Sequence, residues 1–233
     1  MPRIAAIGDI HGEIFKLGSL LGKLVPELDP EDTILFVGDY IDRGPDTKGV
    51  IDLVLELSKE RRLVTLRGNH EQLMLDAYSY FRPAPGDKEL DPDYALPWFY
   101  NGANQTLASY PKEPNWWNRI TEEHWTFIRS TLMEHTEGNY HFVHAGVVPS
   151  TVEWTDVDYD PRLWIREPFI QSLEDFGSTV VFGHTHFRNG KPLFMPNKIG
   201  IDTAAAYGGP LTAIIVDPDE PYRHEKVMVL QSD

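Results

Sequence analysis

Short apolar runs alternate with stretches of helical periodicity over the first eighty residues. The runs cover residues 4–7, 33–37 and 63–66, and each has the length and apolar content of a buried strand. Between them, apolar residues recur at helical spacing in residues 14–24 and from about Thr47 to Lys59. Strands that alternate with helices in this way predict a βαβαβ unit, and therefore a parallel sheet with right-handed crossovers. This pattern places the chain in the α/β class.

Residues 82–137 follow a different pattern. Six prolines interrupt this segment, which also contains four of the six tryptophans of the chain. We expect short helices and loops that pack against the sheet domain like a cap, with the aromatic residues in packing rather than in a binding site. Because the composition is not that of a flexible linker, we predict one domain over residues 1–233, with a cap-like helical insertion at about 82–137.

Further apolar runs follow at residues 140–143, 178–182, 211–216 and 226–230, and we expect the last two to include an antiparallel edge. Polar clusters begin where five of the predicted strands end, after Ile7, Val37, Leu66, Val143 and Phe182. In open α/β folds, sites form outside the carboxyl ends of the strands. The five clusters are therefore expected to converge on one rim of the molecule.

The clusters contain oxygen and imidazole ligands and no sulfur. They supply Asp9, His11, Asp39, Asn69, His144 and His184, with His186 as a further candidate. Such a set suits Mn²⁺, Fe, Zn²⁺ or Mg²⁺. Six or seven ligands exceed the needs of one tetrahedral site and would fit two metals roughly 3.5–4 Å apart, which would activate a water and neutralise charge on a phosphoryl oxygen.

Each cluster taken alone also has a purely structural explanation. Asp9 could be a helix N-cap, and a lone histidine such as His144 is more often a hydrogen-bonded core residue than a ligand. The joint occurrence favours a site, since Asp9, Asp39 and Asn69 are each thirty positions apart and two histidine clusters follow.

Composition and charge exclude or disfavour several classes of function. The absence of cysteine excludes a disulfide scaffold, a thiolate zinc site, an iron–sulfur cluster and a cysteine nucleophile. A net charge of −15 argues against a nucleic-acid scaffold or a nuclease, but a bound cation can still attract a phosphate-bearing substrate. No apolar run approaches the roughly 20 residues that span a bilayer, and no signal peptide is evident. We therefore expect a cytoplasmic protein without membrane association.

The motifs GDIHG, GDYIDRG, GNHE, HAG and GHT, in this order, resemble those of the phosphoprotein phosphatases within the calcineurin-like metallophosphoesterases. The segments NGANQTLASY, LWIRE and IDTAAAYGGPLTA are similar to the bacterial serine/threonine branch of that family. The resemblance covers most of residues 4–216. It implies an α/β fold in which mixed sheets form a central β-sandwich flanked by helices.

The resemblance also implies roles for individual residues. In the metal centre, the first ion would be bound by Asp9 and His11, both ions by Asp39, and the second by Asn69, His144 and His184. His70 would be the general acid that protonates the leaving oxygen, and Asp42 would orient it. Arg43 and Arg166 would bind the phosphate oxygens, a task that suits the guanidinium group.

Three positions leave alternatives open. His186 either completes the first metal site or is a solvent-facing residue of the rim. Asp42 and Arg43 could instead form a local salt bridge within a turn. Ala204 and Ala205 depart from the family pattern, so a substrate-side role for Tyr207 is only loosely indicated.

The function that the resemblance implies is a dinuclear metal-dependent phosphomonoesterase, in which a metal-bridging hydroxide attacks phosphorus in line. The expected substrate is phosphoserine or phosphothreonine in a protein, with phosphotyrosine also accepted. The expected cofactors are two divalent metal ions, with Mn²⁺ as the first choice and Fe, Zn²⁺ or Mg²⁺ as alternatives. An alternative is a symmetrical diadenosine tetraphosphatase or another small-molecule phosphoesterase, whose bases would stack on Trp98, Tyr100, Trp116 or Trp117. A third hypothesis is a catalytically inactive binding protein on the same fold, which would require the loss of a metal ligand or of the general acid.

Overall fold

In the computed structural model, which describes residues 1–83, 93, 95–156 and 158–233, the strands form two sheets of five strands each. The strands are β1 (Ile4–Ile7), β2 (Thr33–Phe36), β3 (Arg62–Thr65), β4 (Glu134–Glu137), β5 (Tyr140–Val143), β6 (Thr179–Phe182), β7 (Leu193–Met195), β8 (Lys198–Gly200), β9 (Thr212–Val216) and β10 (Met228–Gln231). Part of the predicted insertion, residues 84–92 and 94, lies outside the described residues.

The first sheet has the strand order β10-β9-β1-β2-β3. β1, β2 and β3 are parallel, as the alternating sequence pattern predicted. β9 pairs antiparallel with β1, and β10 pairs antiparallel with β9 at the edge. The carboxyl ends of β1, β2 and β3 therefore lie along one edge of this sheet.

The second sheet has the order β4-β5-β6-β8-β7. β5, β6 and β8 are parallel, and β4 and β7 are antiparallel edge strands. The expectation of helices and loops throughout 82–137 is wrong at its end, because β4 lies there. Its sequence, EHTE, alternates exposed and half-buried residues and contains no apolar run, so the pattern of a buried strand is absent.

The helices lie outside the two sheets. They are α1 (Ile14–Leu24), α2 (Thr47–Leu57), α3 (Asn69–Phe81), α4 (Leu96–Tyr100), α5 (Ala103–Ala108), α6 (Glu122–Ser130), α7 (Pro161–Trp164) and α8 (Glu167–Gln171). Local caps explain where two of them begin: Asp46 accepts a hydrogen bond from the Gly49 amide at 2.8 Å, and Thr121 accepts one from the His124 amide at 3.2 Å. Among the described residues, no helix has both the length and the apolar character that crossing a bilayer requires.

Alternate residues of each strand face different layers, because side chains alternate across a strand. One core joins the two sheets and contains Ile4, Ala6, Leu35, Val37, Phe142, Val181 and Ile199. A second core joins the first sheet to the helices and includes Ala5, Ile7, Ile34 and Phe36. The predicted β-sandwich flanked by helices is confirmed.

A buried ammonium group links the second sheet to α8. Lys198 is fully buried, and its Nζ donates hydrogen bonds to the carbonyl oxygens of Phe169, Ile170 (3.4 Å) and Ser172 (2.6 Å). These carbonyls belong to the carboxyl end of α8, where a positive charge is favourable. Burial lowers the pKa of Lys198 to about 8, so the ammonium form still predominates at neutral pH.

We expect Lys198→Met to lower the free energy of unfolding by about 1–3 kcal/mol at pH 7, because buried carbonyl groups lose a charged donor. Urea denaturation measures this, with Lys191→Met at an exposed position as the control. The folded protein releases the Lys198 proton at a lower pH than the unfolded chain, so wild-type stability should rise relative to the variant between pH 8 and 10. A variant as stable as the wild type throughout would contradict this assignment.

Candidate functional site

The five polar clusters converge at one rim, as the strand ends predicted. Asp9 and His11 follow β1, Asp39 follows β2, and Asn69 opens α3 directly after β3. His144 and His184 follow β5 and β6 of the second sheet. Each of these side chains is at most 5% exposed. Burying so many polar groups together is unfavourable unless they are paired or bind a cation.

The carboxylate of Asp39 lies between two sets of side chains. Its Oδ2 is 3.3 Å from Nε2 of His11, and its Oδ1 is 3.5 Å from Nε2 of His144. Two groups of potential ligands, each with its ligand atoms within 4.8 Å of one another, share this carboxylate. One group consists of Asp39, His144 and His184, and the other of Asp39, His11 and His70. One carboxylate therefore contacts both halves of the candidate centre.

Hydrogen bonds donated from Nδ1 to backbone carbonyl oxygens fix two of the imidazole rings. Nδ1 of His11 lies 2.9 Å from the Ile41 carbonyl oxygen, and Nδ1 of His144 lies 2.9 Å from that of Val37. A proton on Nδ1 leaves Nε2 with a lone pair, which is the tautomer that a metal ligand needs. Burial lowers the pKa of His11, His144 and His184, and so favours the neutral imidazole.

Several buried polar atoms at the centre lack a hydrogen-bonding proton. Nε2 of neutral His144 carries no proton, and it lies 3.0 Å from Oδ1 of Asn69 and 3.5 Å from Oδ1 of Asp39, so it faces two oxygens without donating a hydrogen bond. Asp9 Oδ1 and His184 Nε2 are also buried without a hydrogen-bond partner. Unpartnered buried polar atoms are rare in native proteins. A cation would satisfy all of them, so the residues present fit divalent metal ions.

Strained backbone is concentrated at this rim. Among the described residues, the non-glycine residues with positive φ are His11, Asp39, Asp42, Arg43, His184 and Ala204. All but Ala204 are residues that the sequence assigned to the site. Left-handed conformations of non-glycine residues are costly and tend to occur at functional sites, where the surrounding structure holds them in place.

Glu71 holds the loop that carries Asp39. Its carboxylate accepts hydrogen bonds at 2.9 Å from the backbone amides of Asp39, Tyr40 and Gly68. Glu71 has no role in the site predicted from sequence, although its place in GNHE, as the third residue of α3, is a signal for such a capping carboxylate. Gly68 is required here because a Cβ at that position would lie 2.0 Å from Oδ1 of Asp39.

His70 is in a different environment from the other histidines of the site. Its Nδ1 lies 2.7 Å from Oδ2 of Asp42, and its Nε2 is buried without a partner. Burial lowers its pKa, but the charges of Asp39 and Asp42 and the hydrogen bond to Asp42 outweigh this effect, so the pKa of His70 is raised. The structure therefore brings His70 and Asp42 into contact, while their roles as an acid and the carboxylate that orients it stay a prediction.

Two arginines lie at the rim. Nη1 of Arg43 contacts Nε2 of His11, and its guanidinium lies 5.5 Å from the ring centroid of Tyr207. Nη1 of Arg166 donates a hydrogen bond to the His184 carbonyl oxygen at 2.9 Å. Arg43 thus reaches His11 rather than Asp42, whose carboxylate is bonded to His70. The alternative of a local Asp42–Arg43 salt bridge is not what the structure shows.

His186 lies outside both groups of potential ligands formed by the described residues. Its Nε2 accepts a hydrogen bond from Nε of Arg188 at 3.2 Å, and its ring lies 5.1 Å from that of Tyr207. These contacts favour a residue of the rim, and a role as a ligand stays a prediction.

The aromatic residues of the insertion differ in exposure. Trp98 is fully buried, and Trp117 stacks on Phe81 with 5.7 Å between ring centroids. Tyr100, in contrast, is 82% exposed. It lines a cleft of about 450 Å³ together with Arg43 and Tyr207. Of the aromatic residues considered for base stacking, Tyr100 is the one that the structure places, exposed, in a cleft beside Arg43.

Comparisons with known proteins agree with this geometry. The calcineurin-like phosphoesterase family model matches residues 2–199. Serine/threonine-protein phosphatase 1 of Salmonella typhimurium is 32% identical over 88% of this chain and 88% of its own length. An asymmetrical bis(5'-nucleosyl)-tetraphosphatase of Oceanobacillus iheyensis is 29% identical over 91% of this chain and 87% of its own. The structure of a cold-active protein-tyrosine phosphatase of Shewanella has a TM-score of 0.58 at 17% identity, covering 99% of this chain and 81% of that one.

Proposed function

Since the chain belongs to the calcineurin-like phosphoesterase family, we propose that it is a metal-dependent phosphomonoesterase whose substrates are phosphoserine and phosphothreonine in proteins. The proposal is based mainly on the position of the Asp39 carboxylate, which contacts both groups of buried ligands next to the His70–Asp42 pair. The similarity to a serine/threonine phosphatase over most of both chains supports the substrate class.

The chain offers a complete set of ligands for two divalent ions, with Mn²⁺ as the proposed metal and Fe, Zn²⁺ or Mg²⁺ as alternatives. The ions would be held by Asp9, His11, Asp39, Asn69, His144 and His184. When bound, two such ions lower the pKa of a water and neutralise charge on phosphoryl oxygens.

The remaining residues bind the phosphoryl group and supply a proton. Arg43 contacts His11 and Arg166 contacts His184, so both guanidinium groups lie at the histidine cluster, where they can donate to phosphoryl oxygens. His70 presents Nε2 as the proton donor to the leaving oxygen, while Asp42 holds Nδ1 and stabilises the imidazolium. A raised pKa for His70 and lowered pKa values for the ligand histidines are consistent with this division of roles.

A dinucleoside tetraphosphate is a second candidate substrate. The cleft beside Arg43 contains the exposed rings of Tyr100 and Tyr207 and the amide side chains of Asn104 and Gln105. Aromatic rings can stack with a nucleobase, and amides can bond to its edge. This observation and the similarity to a nucleosyl-tetraphosphatase favour the alternative.

Rates on a phosphoserine peptide, a phosphotyrosine peptide and diadenosine tetraphosphate, measured side by side with Mn²⁺, distinguish the candidates. We expect kcat/KM for the phosphoserine peptide to exceed that for the dinucleotide by about tenfold or more. A higher kcat/KM for the dinucleotide than for the phosphopeptides would show that the substrate is a nucleotide and not a protein. No hydrolysis of any of the three substrates would contradict the proposed activity.

A further inference from the structure

The buried carboxylate of Asp42 receives two hydrogen bonds from the segment of residues 96–108, which contains α4 and α5 and is called the α4–α5 segment below. Nε1 of Trp98 lies 3.2 Å from both carboxylate oxygens. Oγ1 of Thr106 donates to Oδ1 at 2.6 Å and accepts the Asp42 backbone N–H at 2.8 Å. Asp42, His70, Trp98 and Thr106 are all at most 1% exposed.

The donors are arranged so that they define the direction of the carboxylate. Thr106 occupies Oδ1, and the indole N–H of Trp98 bridges the two oxygens, which leaves Oδ2 directed at Nδ1 of His70 at 2.7 Å. A carboxylate held at three points has little freedom to rotate. The imidazole that depends on it is therefore held in one orientation as well.

Close backbone packing shows independently that the α4–α5 segment is built against this loop. Gly102 has φ of +120°, and a Cβ at this position would lie 2.9 Å from Cβ of Asp42 and 3.0 Å from the backbone nitrogen of Arg43. Only glycine permits this approach and this conformation. The segment therefore lies directly on the backbone that carries both Asp42 and Arg43.

We infer that Trp98 and Thr106 are positioning residues for the Asp42–His70 pair, and that the insertion thereby contributes to proton donation by His70. The inference rests on the proposed role of His70 as the acid. The two residues act through Asp42 and do not touch the substrate. The α4–α5 segment, for which the sequence predicts only a cap, thereby takes part in acid–base catalysis.

Conservative variants separate the hydrogen bonds from packing. Trp98→Phe retains an aromatic ring and removes the indole N–H, Thr106→Val removes the hydroxyl at nearly constant shape, and Thr106→Ser retains the hydroxyl. Two matched controls lose a comparable buried hydrogen bond outside the site. In Trp125→Phe the lost indole N–H donates to a backbone carbonyl at 3.1 Å, and in Thr131→Val the lost hydroxyl does so at 2.7 Å.

The readout is the ratio of kcat on a phosphoserine peptide to kcat on para-nitrophenyl phosphate, with Mn²⁺ bound. We expect Trp98→Phe and Thr106→Val to lower kcat on the peptide about tenfold, the usual effect of losing such an outer partner. The aryl ester should be affected much less, because its leaving group needs little protonation. Thr106→Ser should restore the ratio, and both controls should leave it unchanged. Adding Trp98→Phe to His70→Asn should not change the ratio further.

Equal losses on both substrates, or a ratio that also changes in the controls, would show that Trp98 and Thr106 serve only the fold. The Nδ1 proton of His70, observed by NMR in the Mg²⁺-loaded protein, gives a readout independent of turnover. We expect a protected downfield resonance that shifts or broadens in Trp98→Phe, and an unchanged resonance would overturn the inference. Failure of the proposed function is distinguishable from this, since the wild-type protein would then hydrolyse neither substrate. Failure of the role of His70 is distinguishable as well, since His70→Asn itself would leave the ratio of the two rates unchanged.

Discussion

Replacing His70 by asparagine should lower kcat on a phosphoserine peptide by about 10²–10⁴-fold, the range typical of a lost general acid. A seryl alkoxide is a poor leaving group and needs a proton as the P–O bond breaks. The loss on para-nitrophenyl phosphate should therefore be much smaller. Asparagine also fails to hold a proton between Asp42 and the leaving oxygen, a position that the 2.7 Å contact of Nδ1 with Oδ2 now fixes.

His124→Asn is the matched control for this prediction. His124 is another buried histidine in contact with an aspartate, since its Nε2 lies 2.9 Å from Oδ1 of Asp52, but it lies in α6 away from the rim. Its replacement can lower stability, yet the ratio of the two rates should stay that of the wild type. If His70→Asn slowed the seryl and aryl esters equally, the assignment of His70 as the acid would be wrong.

Asp39→Asn should have the largest effect of any single substitution. The variant removes a negative charge that contacts both ligand groups, so the chain should bind fewer than two metal ions. Metal ions contribute several kcal/mol to stabilising charge in the transition state, and we expect kcat to fall by about 10³-fold or more. Elemental analysis of the metal-loaded protein and steady-state kinetics measure the two effects.

Asp32→Asn provides the comparison for Asp39→Asn. Asp32 is also buried, but its carboxylate is paired with Arg3 at 2.7 Å, remote from the rim. This variant should lose stability and keep its metal content. Two ions bound by Asp39→Asn with wild-type affinity would show that the carboxylate does not connect the two halves of the site.

The positions of the candidate ligands were accessible from sequence because the topology dictates them. Each polar cluster follows an apolar run, and parallel strands bring their carboxyl ends to one edge. Asp9, Asp39 and Asn69 could therefore be placed together without knowledge of any distance. The resemblance to known motifs added the roles of the individual residues. Geometry alone does not decide whether His70 is a ligand or an acid, because His70 also belongs to one of the two groups of potential ligands.

Other features depend on contacts that no local pattern encodes. The edge strand β4 is polar and half exposed, and β7 and β8 have three residues each, too short for a period to be recognised. The sequence predicts Trp98 only as a packing residue, and it is indeed buried. The acceptor of its indole N–H, Asp42, lies 56 positions away in the sequence. Asp and His adopt left-handed backbone more often than most residue types, but still rarely, so the local sequence does not predict it at Asp39 and His184.

In the proposed mechanism, bound cations and the residues of this rim together hydrolyse a phosphoester. The most direct test is phosphate release from a phosphoserine peptide by the wild-type protein as metal is removed with a chelator and then restored. We expect no release from the metal-free protein and a return of activity that is complete at about two equivalents of Mn²⁺ per chain. Full activity in the chelator, from protein that retains no metal, would contradict it.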